Sequence, residues 1–164
     1  MDGSLSFRFS EDGDESYLKE WMSDPQIFRW FPMDGEKEVD YSVRIWIDCA
    51  KRGQGITALW DGVPCGMTVL DIQFFKKLSH TCLLSILVAE AYRNRGIGKA
   101  LIEHLIDLAK NTFRIEILHL EVYGGNPARH LYERLGFVPF GEHKRFAKEE
   151  GGYRSKVFMQ KYLL

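Results

Sequence analysis

The residues best placed to do chemistry fall in one short run, Arg93-Asn94-Arg95-Gly96-Ile97-Gly98-Lys99. Three cationic side chains stand beside two glycines. Guanidinium and ammonium groups hold phosphate oxygens through charge-assisted hydrogen bonds. Glycine lets the main chain come close to a ligand because no Cβ stands in the way. The run follows an apolar stretch of strand composition, Leu83 to Ala89, and opens a helix with Ile97, Leu101, Leu105 and Leu108 on one face. The first N–H groups of a helix have no intrahelical partners and lie at the positive end of its dipole. Strand, glycine turn and helix together form a cradle for phosphate. Two familiar cradles are excluded by spelling. A dinucleotide GxGxxG fingerprint needs glycine where Leu101 stands, and a Walker loop needs Ser or Thr where Ala100 follows Gly98-Lys99.

The rest of the chain must position this cradle. It has 164 residues, enough for one domain with a sizeable core, and 45% hydrophobic and 13% aromatic content indicates a folded protein. A net charge of −1 argues against a broad nucleic-acid surface, so the cations near Arg93 form a local cluster suited to a small anion. Cys49, Cys65 and Cys82 are odd in number, form no CxxC and sit among apolar neighbours. Buried free thiols in a reducing cytoplasm are expected. The five histidines form no HExxH, and no metal is expected. The N-terminus lacks the basic start and apolar core of a signal peptide, and no apolar run reaches the ~18 residues of a membrane span.

Periodicity predicts the elements. Leu5, Phe7 and Phe9 alternate as a first strand, and Asp12 with Glu15 could form a capping box for a helix carrying Tyr17, Leu18, Trp21 and Met22. The aromatic run Phe28 to Pro32 reads either as core plugs or as a wall of an acceptor groove. A helical stripe spans Glu36 to Lys51. Strands follow at Ile56–Trp60, Pro64–Gln73 and His80–Ala89, with Asp61-Gly62 as a hairpin turn. After the Gly98 helix come a strand, Ile117–Tyr123, and a helix opened by Asn126-Pro127 and closed by Gly136. Phe137–Phe146 and Tyr153–Leu163 are the last strands. Hairpins at both ends and crossovers between them indicate a mixed sheet covered by helices.

The spelling Arg93-x-x-Gly96-x-Gly98 resembles the pyrophosphate-binding loop of the GNAT family of acyl-CoA-dependent N-acetyltransferases. A second stretch, Asn126-Pro127-Ala128-Arg129-His130-Leu131-Tyr132-Glu133-Arg134-Leu135-Gly136-Phe137, is similar to the family's N-x-A-x-x-L-Y-x-x-x-G-F signature at each fixed position. The element order of the whole chain agrees. The resemblance implies a single N-acetyltransferase domain over residues 1–164. Its fold would be α/β, with α+β character: a mixed, mostly antiparallel sheet whose fourth and fifth strands are parallel and splayed, with helices on both faces. It implies acetyl-CoA as acetyl donor. Leu87 and Val88 would pair with the pantetheine amides like an added strand, and one of those N–H groups would polarise the thioester carbonyl. Arg93, Asn94, Arg95, Gly96, Ile97, Gly98 and Lys99 would hold the pyrophosphate. Asn126 would touch the pantetheine arm and Tyr132 would sit by the sulfur. Many members have proline where this chain has Glu90.

Acetyl transfer to an amine needs the neutral nucleophile, although a lysine-type amine has a pKa near ~10.4. A base or a water chain must collect a proton, and the developing oxyanion needs a donor. Tyr132, a phenol of ordinary pKa ~10, is the implied proton donor to the departing thiolate. For the base, Leu120-Glu121-Val122 with Asn126 beyond resembles the bacterial acetyltransferases of a ribosomal protein's N-terminal alanine, in which the matching glutamate is the base. A carboxylate between apolar strand neighbours must face a cleft or be buried at a cost, or else turn to solvent or pair with a nearby arginine. Glu90 is the reserve. The expected acceptor is a primary amine, a peptide N-terminus ahead of polyamines and other small amines. An acetyl-CoA-binding regulatory module without turnover stays open, as does the choice between monomer and homodimer. Neither nucleic acid nor membrane is expected as a partner.

Overall fold

The computed structural model describes residues 2–164. One seven-stranded sheet runs β1 (Leu5–Phe9), β2 (Gly55–Trp60), β3 (Val63–Ile72), β4 (Thr81–Val88), β5 (Ile117–Tyr123), β7 (Gly152–Tyr162), β6 (Val138–Glu149) across its width. Every neighbouring pair is antiparallel except β4 with β5. The helices are α1 (Glu15–Ser23), α2 (Pro25–Phe28), α3 (Glu36–Lys51), α4 (Ile97–Asp107) and α5 (Ala128–Arg134). This is the expected α/β fold.

Alternation along the strands builds a core on each face of the sheet. Leu84 of β4 and Leu118, Leu120 and Val122 of β5 pack on one face with Ile97, Leu101, Ile102 and Leu105 of α4, and Leu131 and Tyr132 of α5, with Leu135 just beyond it, close that side. Met67, Val69 and Leu87 pack on the other face with α1, α2 and α3, through Leu18, Met22, Ile27, Val43 and Trp46. The stripe foreseen on α3 is buried as expected.

Local chemistry differs from expectation at one cap. The capping box joins Glu11 to Asp14, ahead of α1, and not Asp12 to Glu15. Asp14 is drawn inward because it is fully occupied there. Arg8 grips both its oxygens at 2.9 and 2.8 Å, and the Thr57 hydroxyl donates to it at 2.7 Å. Burial opposes the charge of Asp14, but these donors together hold its carboxyl below the usual range. They fasten the β1–α1 junction to β2. At the late hairpin the strands run further than expected, to Glu149 and from Gly152, leaving a two-residue turn.

The feature that matters for function is the short contact between β4 and β5. They pair only at Thr81–Ile117, Cys82–Leu118 and Leu83–His119. Beyond these, Leu84–Val88 and Leu120–Tyr123 diverge without a shared ladder. β3 covers one edge of β4 up to Val88, and β7 covers one edge of β5 up to Tyr123. A wedge is left open inside the sheet.

Candidate active site

One cavity of about 880 Å3 fills the wedge. The diverging ends Leu83–Val88 and Leu120–Tyr123 form its walls. Arg93, Gly96, Gly98 and Lys99 line one end, Tyr132 and Asn126 line the α5 side, and Trp30, Phe31, Trp46, Glu121 and Lys156 also line it. Expected residues on four separate elements, β4, α4, β5 and α5, therefore converge.

The ladder fixes what β4 offers. Ala89 N–H donates to the Cys65 carbonyl of β3 at 2.9 Å. Strand alternation then turns the Leu87 amide to β3 as well, and the amides of Val88 and Ile86 to the wedge. Val88 is thus the better placed of the two expected strand residues to give a backbone donor. Leu87 contributes a side chain buried in the α1–α3 core.

At the cradle, Asn94 (φ 61°) and Gly96 (φ 77°) adopt the left-handed conformation, and Gly96 caps α4. The first α4 hydrogen bond, Ala100 N–H to Gly96 O, is 3.1 Å long, which leaves the amides of Ile97, Gly98 and Lys99 without intrahelical partners. The two glycines serve differently. A Cβ at Gly96 would meet nothing within 4 Å, so its role is conformational. A Cβ at Gly98 would lie 3.3 Å from Leu131 Cδ2 and 3.9 Å from Val88 Cγ2, between two walls of the cavity. The residues fit a pyrophosphate. Arg93 and Lys99 reach the cavity, as does Arg134, which the motif left unassigned. Arg95 is not on its lining. Its guanidinium lies 4.8 Å over the Trp60 ring and 5.4 Å over Tyr92. Glu90 is likewise off the lining and pairs with Arg93 at 3.0 Å. The Asn126 Oδ1 accepts from Ala128 N–H at 3.0 Å and caps α5, which leaves its amide nitrogen to donate elsewhere.

Burial pushes the Tyr132 phenol up to about 12, with Arg93 pulling weakly the other way. It stays protonated throughout the neutral range. Complete transfer to a thiolate of ordinary pKa ~8.5 is uphill from such a phenol. Tyr132 is therefore suited to donating a hydrogen bond that tightens as sulfur gains charge.

Glu121 stands on the α1–α3 face of β5, as do Tyr123 and its cross-strand neighbour Lys156 on β7. Its Oε2 accepts from Lys156 Nζ at 2.9 Å. Lys156 is only 8% exposed, and its ammonium lies 3.7 Å over the Phe146 ring. The carboxylate expected as base is held by a buried cation that sequence reasoning missed. In the aromatic run, Phe28 and Phe31 pack against the core, while Trp30, Phe31 and Pro32 line the cavity. Among the described residues no three His, Cys, Asp or Glu side chains are grouped to hold a metal ion, and no helix is long and apolar enough to cross a membrane.

A wedge between parallel strands, with a phosphate cradle and a phenol on the lining of one cavity, defines a class of acyl-CoA enzyme. The model of the acetyltransferase (GNAT) family matches residues 15–137, and the chain belongs to that family, whose acetyl donor is acetyl-CoA. The chain is 30% identical over 105 residues to the L-amino acid N-acetyltransferase AaaT of Escherichia coli, covering 63% of this chain and 65% of that protein's length. It is 36% identical over 87 residues to the ribosomal protein bS18-alanine N-acetyltransferase of Haemophilus influenzae, covering 52% of this chain and 59% of that one. The acetyltransferase yncA of Salmonella typhimurium, solved with its cofactor acetyl-CoA, superposes with a TM-score of 0.85 at 20% identity over 98% of this chain and 94% of that one.

Proposed function

We propose that the chain transfers the acetyl group of acetyl-CoA to a primary amine by direct attack. The observation that carries this reading is that one cavity is lined both by the amide-rich start of α4 and by Tyr132 and Glu121. The α4 amides, Arg93, Lys99 and Arg134 would hold the pyrophosphate. The Val88 amide would supply the hydrogen bond wanted by an oxygen gaining negative charge. Tyr132 would donate to the departing sulfur. Glu121, once released from Lys156, would take the proton of the attacking amine. Acetyl-CoA supplies an activated acyl group; the protein supplies position and donors.

The relatives' names include acceptors as different as an L-amino acid and an alanine of a ribosomal protein. Both are primary amines, in line with the expected peptide N-terminus or small amine. A polyamine is less well served, because Lys156 shares the cavity with Glu121 and would repel a second ammonium. The test is thiol release from acetyl-CoA against a panel of amino acids, amines and peptides with different first residues. Turnover with at least one amine is expected. Binding of acetyl-CoA with no turnover across the panel would favour a regulatory module instead.

A further inference from the structure

The pairing of Glu121 with Lys156 sets a condition on the acceptor. Lys156 is buried, and a buried ammonium without a counter-ion is strongly disfavoured. Its nearest carboxylate is Glu121 at 2.9 Å. An acceptor amine that approaches Glu121 competes with Lys156 for the same oxygens. A bare amine that wins this competition leaves Lys156 with the Phe146 ring alone. An acceptor that brings its own carboxylate leaves no charge unpaired: its amine meets Glu121 and its carboxylate meets Lys156. Two further donors lie on or beside the wall of the same cavity. The Trp30 indole nitrogen is buried on the wall of the same cavity and has no acceptor among the described residues. The Arg154 guanidinium lies 5.0 Å over the Trp30 ring, held by Glu149 at 3.0 Å.

We infer that the acceptor is an amine bearing a carboxylate next to it, of the α-amino acid type, and that Lys156 reads the carboxylate and in doing so frees Glu121. This rests on the acetyl-transfer reading and narrows its acceptor. A peptide N-terminus presents an amide carbonyl where the free amino acid presents its carboxylate, and so does not relieve Lys156. Specificity and activation then share one event. An acceptor lacking the anion finds its base already neutralised.

The test compares matched acceptors: an aliphatic, an aromatic, an acidic and a basic amino acid, each with its α-amide and its decarboxylated amine, together with alanine-initiated peptides. The best amino acid should exceed its own amide and amine by roughly 10–10²-fold in kcat/KM, below the scale of a fully buried charge pair because Glu121 is partly exposed. In Lys156→Met, that preference should collapse towards unity, while the thermal shift given by CoA persists. Equal kcat/KM for the acid, amide and amine in the parent protein overturns the inference and leaves acetyl transfer standing, as does a peptide that outruns every amino acid. Absence of turnover with every acceptor, CoA still binding, overturns the acetyltransferase reading and this inference with it. The parent-protein comparison decides the matter even where Lys156→Met fails to fold. A folded Lys156→Met that keeps the full preference counts against Lys156 as the reader.

Discussion

Tyr132 and Glu121 call for different experiments, because one stands apart and the other is tied. Tyr132→Phe removes one hydroxyl and little volume. Its ring would keep the edge contact with Phe137, 6.3 Å between centroids. CoA affinity should hardly change, while kcat falls by something within ~10²–10⁴-fold, with KM for acetyl-CoA unaltered, as for an interaction made in the transition state. Activity equal to the parent would make Tyr132 a packing residue. Glu121→Gln is a less clean change. It removes the proposed base and also strips Lys156 of its counter-ion. We expect a lower kcat/KM and a protein destabilised by about 1–2 kcal/mol, discounted for the partial exposure of Glu121. Glu121→Gln combined with Lys156→Met should recover most of the stability and none of the activity. Urea midpoints for the two singles and the double separate these effects. Recovery of activity in the double variant would show that Glu121 is not the base.

At the level of elements, the start of α4 is where motif and geometry agree most closely, yet its two glycines respond differently to substitution. Gly98 has ordinary helical geometry, so Ala there gains helix propensity, and its Cβ need displace only the flexible end of Leu131 by a few tenths of an ångström. Gly98→Ala should therefore change the melting temperature little and weaken acetyl-CoA binding. Gly98→Leu cannot fit without moving Leu131, the neighbour of Tyr132 on α5, so loss of kcat as well as affinity is expected. Unchanged CoA affinity in Gly98→Ala would remove this glycine from the cradle. The legibility of the chain divides along the same line. Short-range devices were readable: the α4 turn, the α3 stripe and the Asn126 cap all depend on residues within a few positions of one another. The Glu121–Lys156 pair was not, because it depends on the register of β7 against β5, 35 residues apart. Arg95 looked like a phosphate ligand by spacing alone. Trp60 lies far off in sequence, and only the folded chain brings it under the guanidinium. The capping box slipped by one residue because the tertiary pull of Arg8 and Thr57 on Asp14 outweighed local preference.

For the molecule as a whole, among the described residues β1–β4 join the β5–β7–β6 half through three ladder pairs and the bonds of Glu116 and Ile117 to His80 beside them. Acetyl-CoA in the wedge should bridge the halves, and at ~100 times its dissociation constant it should add about 2.7 kcal/mol of stability. A melting temperature unmoved by millimolar acetyl-CoA or CoA would contradict the proposed site. The open edge of β4 also has a signature on the clock of amide hydrogen exchange. Leu87 and Ala89 give their hydrogens to β3, whereas those of Ile86 and Val88 face the gap. Without ligand, deuterium should enter this strand in a comb, fast at every second residue and slow between, which a uniformly protected or uniformly frayed strand would not produce. Saturating CoA should slow the fast teeth and leave the slow ones as they were, so a single strand would report, residue by residue, which of its two edges the protein has left for something else to complete.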